Sequence, residues 1–311
     1  MNRILTTLCL ISLGACTTGP GDDYRDVLPD DRLLVSLPAD QGGARTAAGD
    51  MSEYYALTAD VTHDINTLIS EVLTGIGGIT DFEPTWSDDT ADTALWGPWE
   101  DGDVNARLWI QRHDDGSHSW ALDAKPLTDG DDGYVPIFAG EVDTGGDADT
   151  RSGRFAIDFT ALYGVNPSGD DVLGAFYVEY DIDGSLVNST AVFEDFAEDG
   201  GEAADAAYVY AQDGDGGSMD LALVADATGN AVPETHLVRT RWQTNGEGRA
   251  DVYLTDGDLG PLVYTATECW ADDQSVVFFE ENYGLTTSGD MSICAFGEPE
   301  WNESEAAPVA I

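Results

Sequence analysis

From about residue 104 to residue 279, apolar and polar residues alternate with a period of two in one short run after another. Successive side chains of a β-strand point to opposite faces, so this alternation predicts strands with one buried face. We predict twelve strands, over residues 104–112, 119–124, 135–142, 154–159, 173–180, 186–193, 207–211, 219–224, 236–243, 249–254, 263–270 and 275–279. The pattern restricts the chain to a mainly β fold.

Short runs of Asp, Asn and Gly separate the predicted strands, at 114–116, 181–184, 213–217, 245–248 and 256–258. These residue types tolerate positive φ and form tight hairpin turns. Because hairpins join the strands and no helix is predicted between them, the sheet should be an antiparallel meander. A meander of this length curls into an open barrel or a sandwich, and we expect the curled, partly closed sheet.

One stretch before the strands has helical spacing instead. Its apolar residues recur three and four positions apart, which predicts an α-helix over 52–73 that ends at the following glycines: Leu57, Val61, Ile65, Leu68, Ile69 and Val72, then Gly75, Gly77 and Gly78. Residues 17–50 show no such period and are rich in Gly, Asp, Pro and Thr. We therefore predict a flexible acidic tether at 16–50, a single mainly β domain with one N-terminal helix at 51–301, and a disordered tail at 302–311.

Acidic residues dominate the composition, with 60 Asp plus Glu against 12 Lys plus Arg and a net charge of −48. This balance excludes nucleic acid as a partner, because too few cations are present to neutralise phosphates. A hydrophobic fraction of 42% argues for a packed core rather than disorder. The acids are scattered along the chain, which favours a solvated surface suited to salty surroundings, with divalent-cation binding as the alternative.

The N-terminus has the parts of a secretory signal, with Arg3 followed by an apolar stretch from residue 4 to residue 13. It closes with Leu13-Gly14-Ala15-Cys16, which resembles the lipobox of bacterial lipoproteins. The resemblance implies a signal peptide at residues 1–15 and a lipid bilayer as partner of the acylated Cys16. Thr17, which is not acidic, follows Cys16. Under the sorting rule of diderm lipoproteins, this implies the cell envelope, at the outer membrane.

Four cysteines are present, and two of them belong to the N-terminal segment: Cys9 lies in the signal and Cys16 carries the lipid. Cys269 and Cys294 remain, and two thiols in an exported chain most simply form a disulfide. A zinc site is the weaker alternative, because two cysteines with no nearby histidine supply too few ligands.

Two further metal hypotheses follow from the turns. His113 and His118 flank the turn at 114–117 and would face each other across a hairpin, although no third ligand is fixed and two exposed turn residues are the favoured interpretation. The Asp-Gly turns at 181–184 and 213–217 lack the ligand spacing of a helix-loop-helix calcium site, so hairpin turns explain them better. We predict no cofactor and leave weak calcium association open.

Arginines are scarce here and therefore informative. Arg239 and Arg241 fall on one face of a predicted strand, and Trp242 falls on the other. If residues 244–248 form a five-residue loop, Arg241 pairs with Asp251 across the strands, and the pair holds the register. The functional alternative is an anion-recognising patch, with Arg239, Arg241 and Trp242 nearest the ligand.

Five short segments between residues 236 and 296 carry a resemblance: Arg241-Trp242, Gly246-Glu247-Gly248-Arg249-Ala250-Asp251-Val252, Gly257-Asp258-Leu259, Glu268-Cys269-Trp270 and Cys294-Ala295-Phe296. Together with the lipobox, they resemble a group of bacterial lipoproteins of myxobacteria and related lineages. The resemblance implies export, lipidation and a bridge between Cys269 and Cys294. It implies no activity.

The chain lacks the sequence motifs of hydrolases and nucleotide-binding enzymes, including Gly-x-Ser-x-Gly, His-Glu-x-x-His and the phosphate loop. We therefore predict no catalytic residue. The leading hypothesis is a non-enzymatic, lipid-anchored envelope scaffold that binds an envelope protein or a small apolar or sugar ligand. The alternative is a glycoside hydrolase that uses Asp/Glu pairs on envelope or extracellular polysaccharide.

Overall fold

The computed structural model describes residue 24 and residues 27–38, 51–88, 92–144, 149–169, 171–198, 200–226 and 232–297. These ranges contain the helices α1 (Glu53–Thr80) and α2 (Phe159–Val165), and the strands β1 (Trp86–Asp88), β2 (Thr93–Asp101), β3 (Val104–Arg112), β4 (His118–Pro126), β5 (Val135–Asp143), β6 (Thr150–Asp158), β7 (Val172–Asp183), β8 (Leu186–Glu198), β9 (Ala204–Gln212), β10 (Gly216–Ala225), β11 (Glu234–Gln243), β12 (Gly248–Asp256), β13 (Gly260–Trp270), β14 (Val276–Glu281) and β15 (Thr286–Gly289). Neighbouring strands follow the order of the sequence from β1 to β15. The predicted mainly β, antiparallel meander with an N-terminal helix is confirmed.

All twelve predicted strands are present, as β3 to β14. The sequence pattern does not predict β1, β2 or β15, and the four residues of β15 are polar or glycine and all exposed. It also does not predict α2, where the expectation of no helix between the strands is wrong. Asp158 caps this seven-residue helix by accepting a hydrogen bond from the backbone N–H of Ala161 at 2.7 Å.

Helix α1 is longer than predicted and buries a different stripe in its first half. It continues past Gly77 and Gly78 to Thr80, since glycine inside a helix costs only about 1 kcal/mol each. The buried residues in the first half are Tyr55, Thr58, Thr62 and Ile65, whereas Leu57, which we predicted to lie on the apolar face, is 37% exposed. Threonines complete the buried stripe, and a pattern based on apolar residues alone overlooks them.

The chain divides into two compact units. Among the described residues, unit 1 comprises those up to Leu34, Asn66–Gly184 and Phe193–Ala203. Unit 2 comprises Val35–Ile65, Ser185–Val192 and those from Ala204 onward. Helix α1 and strand β8 each contribute one part to either unit. The single domain at 51–301 stays a prediction.

Unit 1 has an aromatic row at the centre of its core. Ring centroids lie 4.5 Å apart for Trp120 and Phe138, 5.6 Å for Phe138 and Phe155, and 6.3 Å for Phe155 and Phe176. These rings come from β4, β5, β6 and β7 in turn, and all four are buried. Edge-to-face pairs of this kind add roughly 0.5–1.5 kcal/mol each beyond the area they bury.

Part of the predicted tether is packed instead of free. Val27, Leu28 and Leu33 are buried in unit 1, and Val35 and Leu37 are buried in unit 2. Each such side chain stabilises the fold by about 1.5–3 kcal/mol relative to exposure. Residues 27–38 of the predicted tether thus contain packed side chains, and the tether stays a prediction for the rest of 16–50. The predicted signal peptide at 1–15 and the predicted tail at 302–311 lie outside the described residues.

Unit 2 packs the first half of α1 against one face of its sheet. The hydroxyls of Thr58 and Thr240 are hydrogen-bonded at 2.8 Å, and the rings of Tyr55 and Trp270 meet edge to face at 5.6 Å. Under the first turn of α1, the buried carboxylate of Glu268 accepts hydrogen bonds from Ser52 and from backbone N–H groups of the helix start. Polar contacts therefore fix the helix on an otherwise apolar face.

Four aromatic side chains face a glycine on the neighbouring strand, two in each unit: Trp120 with Gly140, Tyr180 with Gly153, Trp242 with Gly217, and Trp270 with Gly248. A Cβ atom on Gly140 would lie 2.4 Å from the Trp120 ring, and one on Gly248 would lie 2.2 Å from the Trp270 ring. The glycines leave room for the rings to lie across the next strand.

Candidate functional site

The candidate site lies on the face of unit 2 opposite the one that packs on α1. Three neighbouring strands place five charged side chains there, which we call the arginine face: Asp220 on β10, Arg239 and Arg241 on β11, and Arg249 and Asp251 on β12. Arg239 stands between Asp220 and Asp251 in the register. Residues directly opposite each other on neighbouring strands lie on the same face of the sheet, and so do alternate residues of one strand. These five charged side chains therefore lie on one face.

Two ion pairs on the arginine face are complete. Arg249 donates to both carboxylate oxygens of Asp251, from Nε to Oδ2 at 2.8 Å and from Nη2 to Oδ1 at 2.7 Å. The side chains of this pair are only 2% and 4% exposed. Arg239 donates from Nε to Oδ2 of Asp220 at 2.9 Å. Both pairs link adjacent positions of the sheet and stabilise this face.

Arg241 differs from its neighbours. Its side chain is partly buried, and none of the residues that the structure describes accepts a hydrogen bond from its guanidinium or forms an ion pair with it. Its direct register partner on β12 is a second cation, Arg249. Burial lowers the pKa of Arg241, the charges of Arg239 and Arg249 lower it further, and Asp220 and Asp251 oppose the shift. A desolvated cation beside two other cations attracts an anion.

The C-terminal segment forms one side of this face. Cys269, opposite Arg249 in the register, is bonded to Cys294, with the two Cα atoms 5.5 Å apart. The segment also accepts a hydrogen bond from Arg249 Nη1 at the carbonyl oxygen of Phe296, at 3.3 Å. The predicted Cys269–Cys294 disulfide is therefore present, and it holds the segment beside the arginines.

The predicted register between β11 and β12 is wrong by two residues. Arg239, not Arg241, lies opposite Asp251. The backbone N–H of Gln243 donates to the carbonyl of Glu247 at 2.9 Å, so the turn contains three residues instead of the five expected. Gly246 makes the tighter turn accessible with a φ of 99°.

Trp242 does not join the arginines, although we predicted all three residues near a ligand. It is 3% exposed, lies on the opposite face and stacks on Tyr210 with ring centroids 6.3 Å apart. Because adjacent residues of a strand point to opposite faces, Arg241 and Trp242 cannot contact the same small molecule. Arg239 and Arg241 are the predicted residues that the fold brings together.

His113 and His118 both line a concavity of about 750 Å³ in unit 1. His113 is exposed and its Nε2 is hydrogen-bonded to Ser119 Oγ at 2.9 Å. His118 is buried, and burial lowers its pKa. Within the described ranges, no three His, Cys, Asp or Glu side chains come together as a metal site. Metal binding by this pair stays a prediction.

The turn at 213–217 uses its first carboxylate locally. Asp213 Oδ1 accepts hydrogen bonds from the backbone N–H groups of Asp215 at 2.8 Å and Gly216 at 3.1 Å, as in an Asx turn. Weak calcium association stays a prediction. Cys16, the predicted lipidation residue, lies outside the described residues. No helix in the part of the chain that is described is long and apolar enough to cross a membrane.

Sequence reasoning does not single out Asp220 or the role of Arg249. The available signal is the scarcity of cations, since three of the chain's 12 basic residues fall between positions 239 and 249. Comparisons of the chain with protein-family models, with curated proteins and with solved structures return no match. The interpretation of the arginine face therefore depends on its own geometry and charge.

Proposed function

We propose that the protein is an exported, lipid-anchored β-scaffold that binds a small anionic ligand on the arginine face. The observation that carries the proposal is Arg241, a partly buried guanidinium that no other described residue pairs. The chain contains 60 acidic residues, yet the residue opposite Arg241 on β12 is another arginine. A bound anion is the partner that this arrangement lacks.

A structural role does not account for Arg241. The Arg239–Asp220 pair already links β10 and β11, and the Arg249–Asp251 pair joins two same-face positions of β12. Like charges directly opposite on neighbouring strands destabilise a sheet, so Arg241 facing Arg249 weakens the unliganded fold. Binding an anion reverses that effect, and this is the advantage we assign to the residue.

We propose binding without catalysis. A glycosidase needs two carboxyl groups roughly 5–10 Å apart that are free to act as acid and base or nucleophile. Asp251 on the arginine face is instead held by Arg249 and accepts a further hydrogen bond from Thr267 Oγ1 at 2.7 Å. Its oxygens are already occupied by these hydrogen bonds and are not free to act on a substrate, so the hydrolase alternative gains no support from this site.

The lipid anchor is supported by the segment Leu13-Gly14-Ala15-Cys16, and export agrees with a disulfide between Cys269 and Cys294. Expression of Cys16→Ser should leave the protein soluble after membranes are pelleted, because the acylated thiol is gone. Cys9→Ser, inside the signal, is the matched control and should still pellet. If the Cys16→Ser protein stayed with membranes after a high-salt wash, the anchor would be wrong.

Anion binding is tested on the full chain carrying Cys16→Ser, by calorimetric titration with sodium acetate and sodium sulfate. At least one anion should bind saturably, and Arg241→Gln should weaken that binding about tenfold or more, as expected for loss of a charged hydrogen bond. Arg154→Gln is the matched control, because it removes the same charge from an exposed pair with Glu141 in unit 1. Equal affinity of the Arg241→Gln and Arg154→Gln proteins would contradict the proposal.

A further inference from the structure

We infer that the anion is the carboxylate of a small hydroxylated acid, of the sugar-acid class; this deepens the proposed function and depends on it. The net charge of the arginine face favours a monoanion. The arginine face carries three arginines and two aspartates, Asp220 and Asp251, so its formal charge is 3 − 2 = +1. A monoanion neutralises it, whereas a dianion leaves an excess negative charge within a chain of net charge −48.

The planar shape of the Arg241 guanidinium favours a carboxylate over a tetrahedral anion. A guanidinium presents a planar fork that matches the two oxygens of a carboxylate. Tetrahedral anions are commonly bound where several free backbone N–H groups converge, at a helix start or a nest. Arg241 instead lies inside a ladder, paired with Ser218 on β10 and with Arg249 on β12, and the start of α1 lies on the opposite face of this sheet. The hydrogen-bond donors at this face therefore belong to side chains, and those of the guanidinium lie in one plane.

Neutral polar groups lie beside Arg241 and favour a ligand that carries hydroxyls. Ser218 is opposite it on β10, and Gln243 is the next residue of β11 on the same face. Both are partly exposed, and neither side chain is hydrogen-bonded to another residue in the described ranges. In addition, Asp220 Oδ1 has no hydrogen-bond donor among the described residues. A hydroxyl, a carboxamide and a carboxylate oxygen around one guanidinium suit a ligand whose hydroxyls adjoin its carboxylate.

The experiment compares four probes on the full chain with Cys16→Ser: galacturonate, acetate, sulfate and galactose. Galacturonate should bind most tightly, acetate about two- to tenfold more weakly because it lacks the hydroxyl contacts, and sulfate more weakly than acetate. Galactose, the uncharged match of galacturonate, should not bind measurably. Arg241→Lys should lower galacturonate affinity, since an ammonium does not reproduce the fork.

Two further variants separate the hydroxyl contacts from the charge. Ser218→Ala and Gln243→Ala should each weaken galacturonate binding by a larger factor than acetate binding, and both positions are partly exposed, so the fold should tolerate them. If sulfate bound as tightly as galacturonate, the carboxylate inference would fail while the anion-binding function stood. If no anion bound, or if galactose bound as well as galacturonate, the inference and the proposed function would fail together.

Discussion

Each unit carries a cluster of cations on its sheet, and the two clusters differ in how they are paired. In unit 1, Arg107 donates from Nε to Asp123 Oδ2 at 3.0 Å, and its guanidinium lies 4.0 Å from the centre of the Tyr134 ring. Lys125 donates to the carbonyl of Asp129 at 2.9 Å and to Asp131 at 3.2 Å. In unit 2, Arg241 has no such partner among the described residues.

The register explains the difference. Arg107 lies opposite Asp123, so attraction across the strands is built into the ladder. Arg241 lies opposite Arg249, so the same geometry produces repulsion. Strand alternation thus places cations on one face of the sheet in both units. Of the two clusters, the one in unit 2 contains a cation, Arg241, without a partner among the described residues. This contrast separates a stabilising cluster from a candidate binding site.

The largest expected effect is the loss of one buried carboxylate. Asp251→Ala should lower the free energy of unfolding by about 3–5 kcal/mol, because it leaves the Arg249 charge buried and uncompensated. Asp123→Ala in unit 1 should cost less, since Arg107 is 34% exposed and keeps its contact with Tyr134. Urea denaturation of both proteins checks the order, and equal losses would break the comparison between the clusters.

Removing the disulfide should have the next largest effect. The bridge joins residues 25 positions apart, and replacing Cys269 and Cys294 by Ser should cost on the order of 3 kcal/mol. Because the C-terminal segment then loses its hold beside Arg249, anion affinity should change as well. Treatment with a reductant should destabilise the wild-type protein by the same amount and leave the double variant unchanged. A reductant effect on the variant would point to another cause.

Substitution of the glycine in an aromatic–glycine pair should destabilise the two units to a similar extent. Gly140→Ala in unit 1 and Gly248→Ala in unit 2 should each cost about 1–3 kcal/mol, because the new Cβ overlaps a buried tryptophan ring. Gly77→Ala, in open space on α1, is the control and should stabilise the protein by about 0.5–1 kcal/mol. Thermal unfolding checks all three, and unequal losses at the two paired glycines would extend the difference between the units to their cores.

The smallest expected effect is on the pH dependence of stability. One carboxyl group in each unit should contribute to it, with opposite signs. Burial raises the pKa of Glu268, against the hydrogen bonds from Ser52 and the start of α1. The stability that this carboxyl contributes is therefore present below its unfolded pKa and lost as the pH rises through its folded pKa. Glu268→Gln should gain stability relative to wild type as the pH rises from acidic values.

Asp30 in unit 1 provides the contrasting case. Burial alone would raise its pKa, but the hydrogen bonds and charge of Arg32, with the charge of Arg151, lower it below the ordinary value. Its contribution is present above the unfolded pKa and lost as the pH falls through the folded pKa. Asp30→Asn should therefore lose stability relative to wild type at neutral pH and approach it in acid. If the stability of both variants relative to wild type changed in the same direction as the pH rose, this assignment would be refuted.

The sequence predicts the strands well because alternation reports burial directly. Twelve strands and the faces of Arg239, Arg241 and Trp242 follow from the period alone. The register does not, because it depends on the length of a turn that Gly246 shortens through its positive φ. The buried stripe of α1 is also not predictable from the sequence. Thr58 lies in it because its hydroxyl is hydrogen-bonded to that of Thr240, a contact that no local pattern contains.

That threonine contact also bears on the order of folding. Strands that are neighbours in sequence close short loops and can form early, whereas Thr58 and Thr240 are 182 residues apart. The first half of α1 is synthesised before the strands of unit 2 that cover it. We expect its stripe to stay open to water until β10 to β13 have assembled. Helix α1, which precedes β1 in the sequence, is therefore among the last elements to become protected.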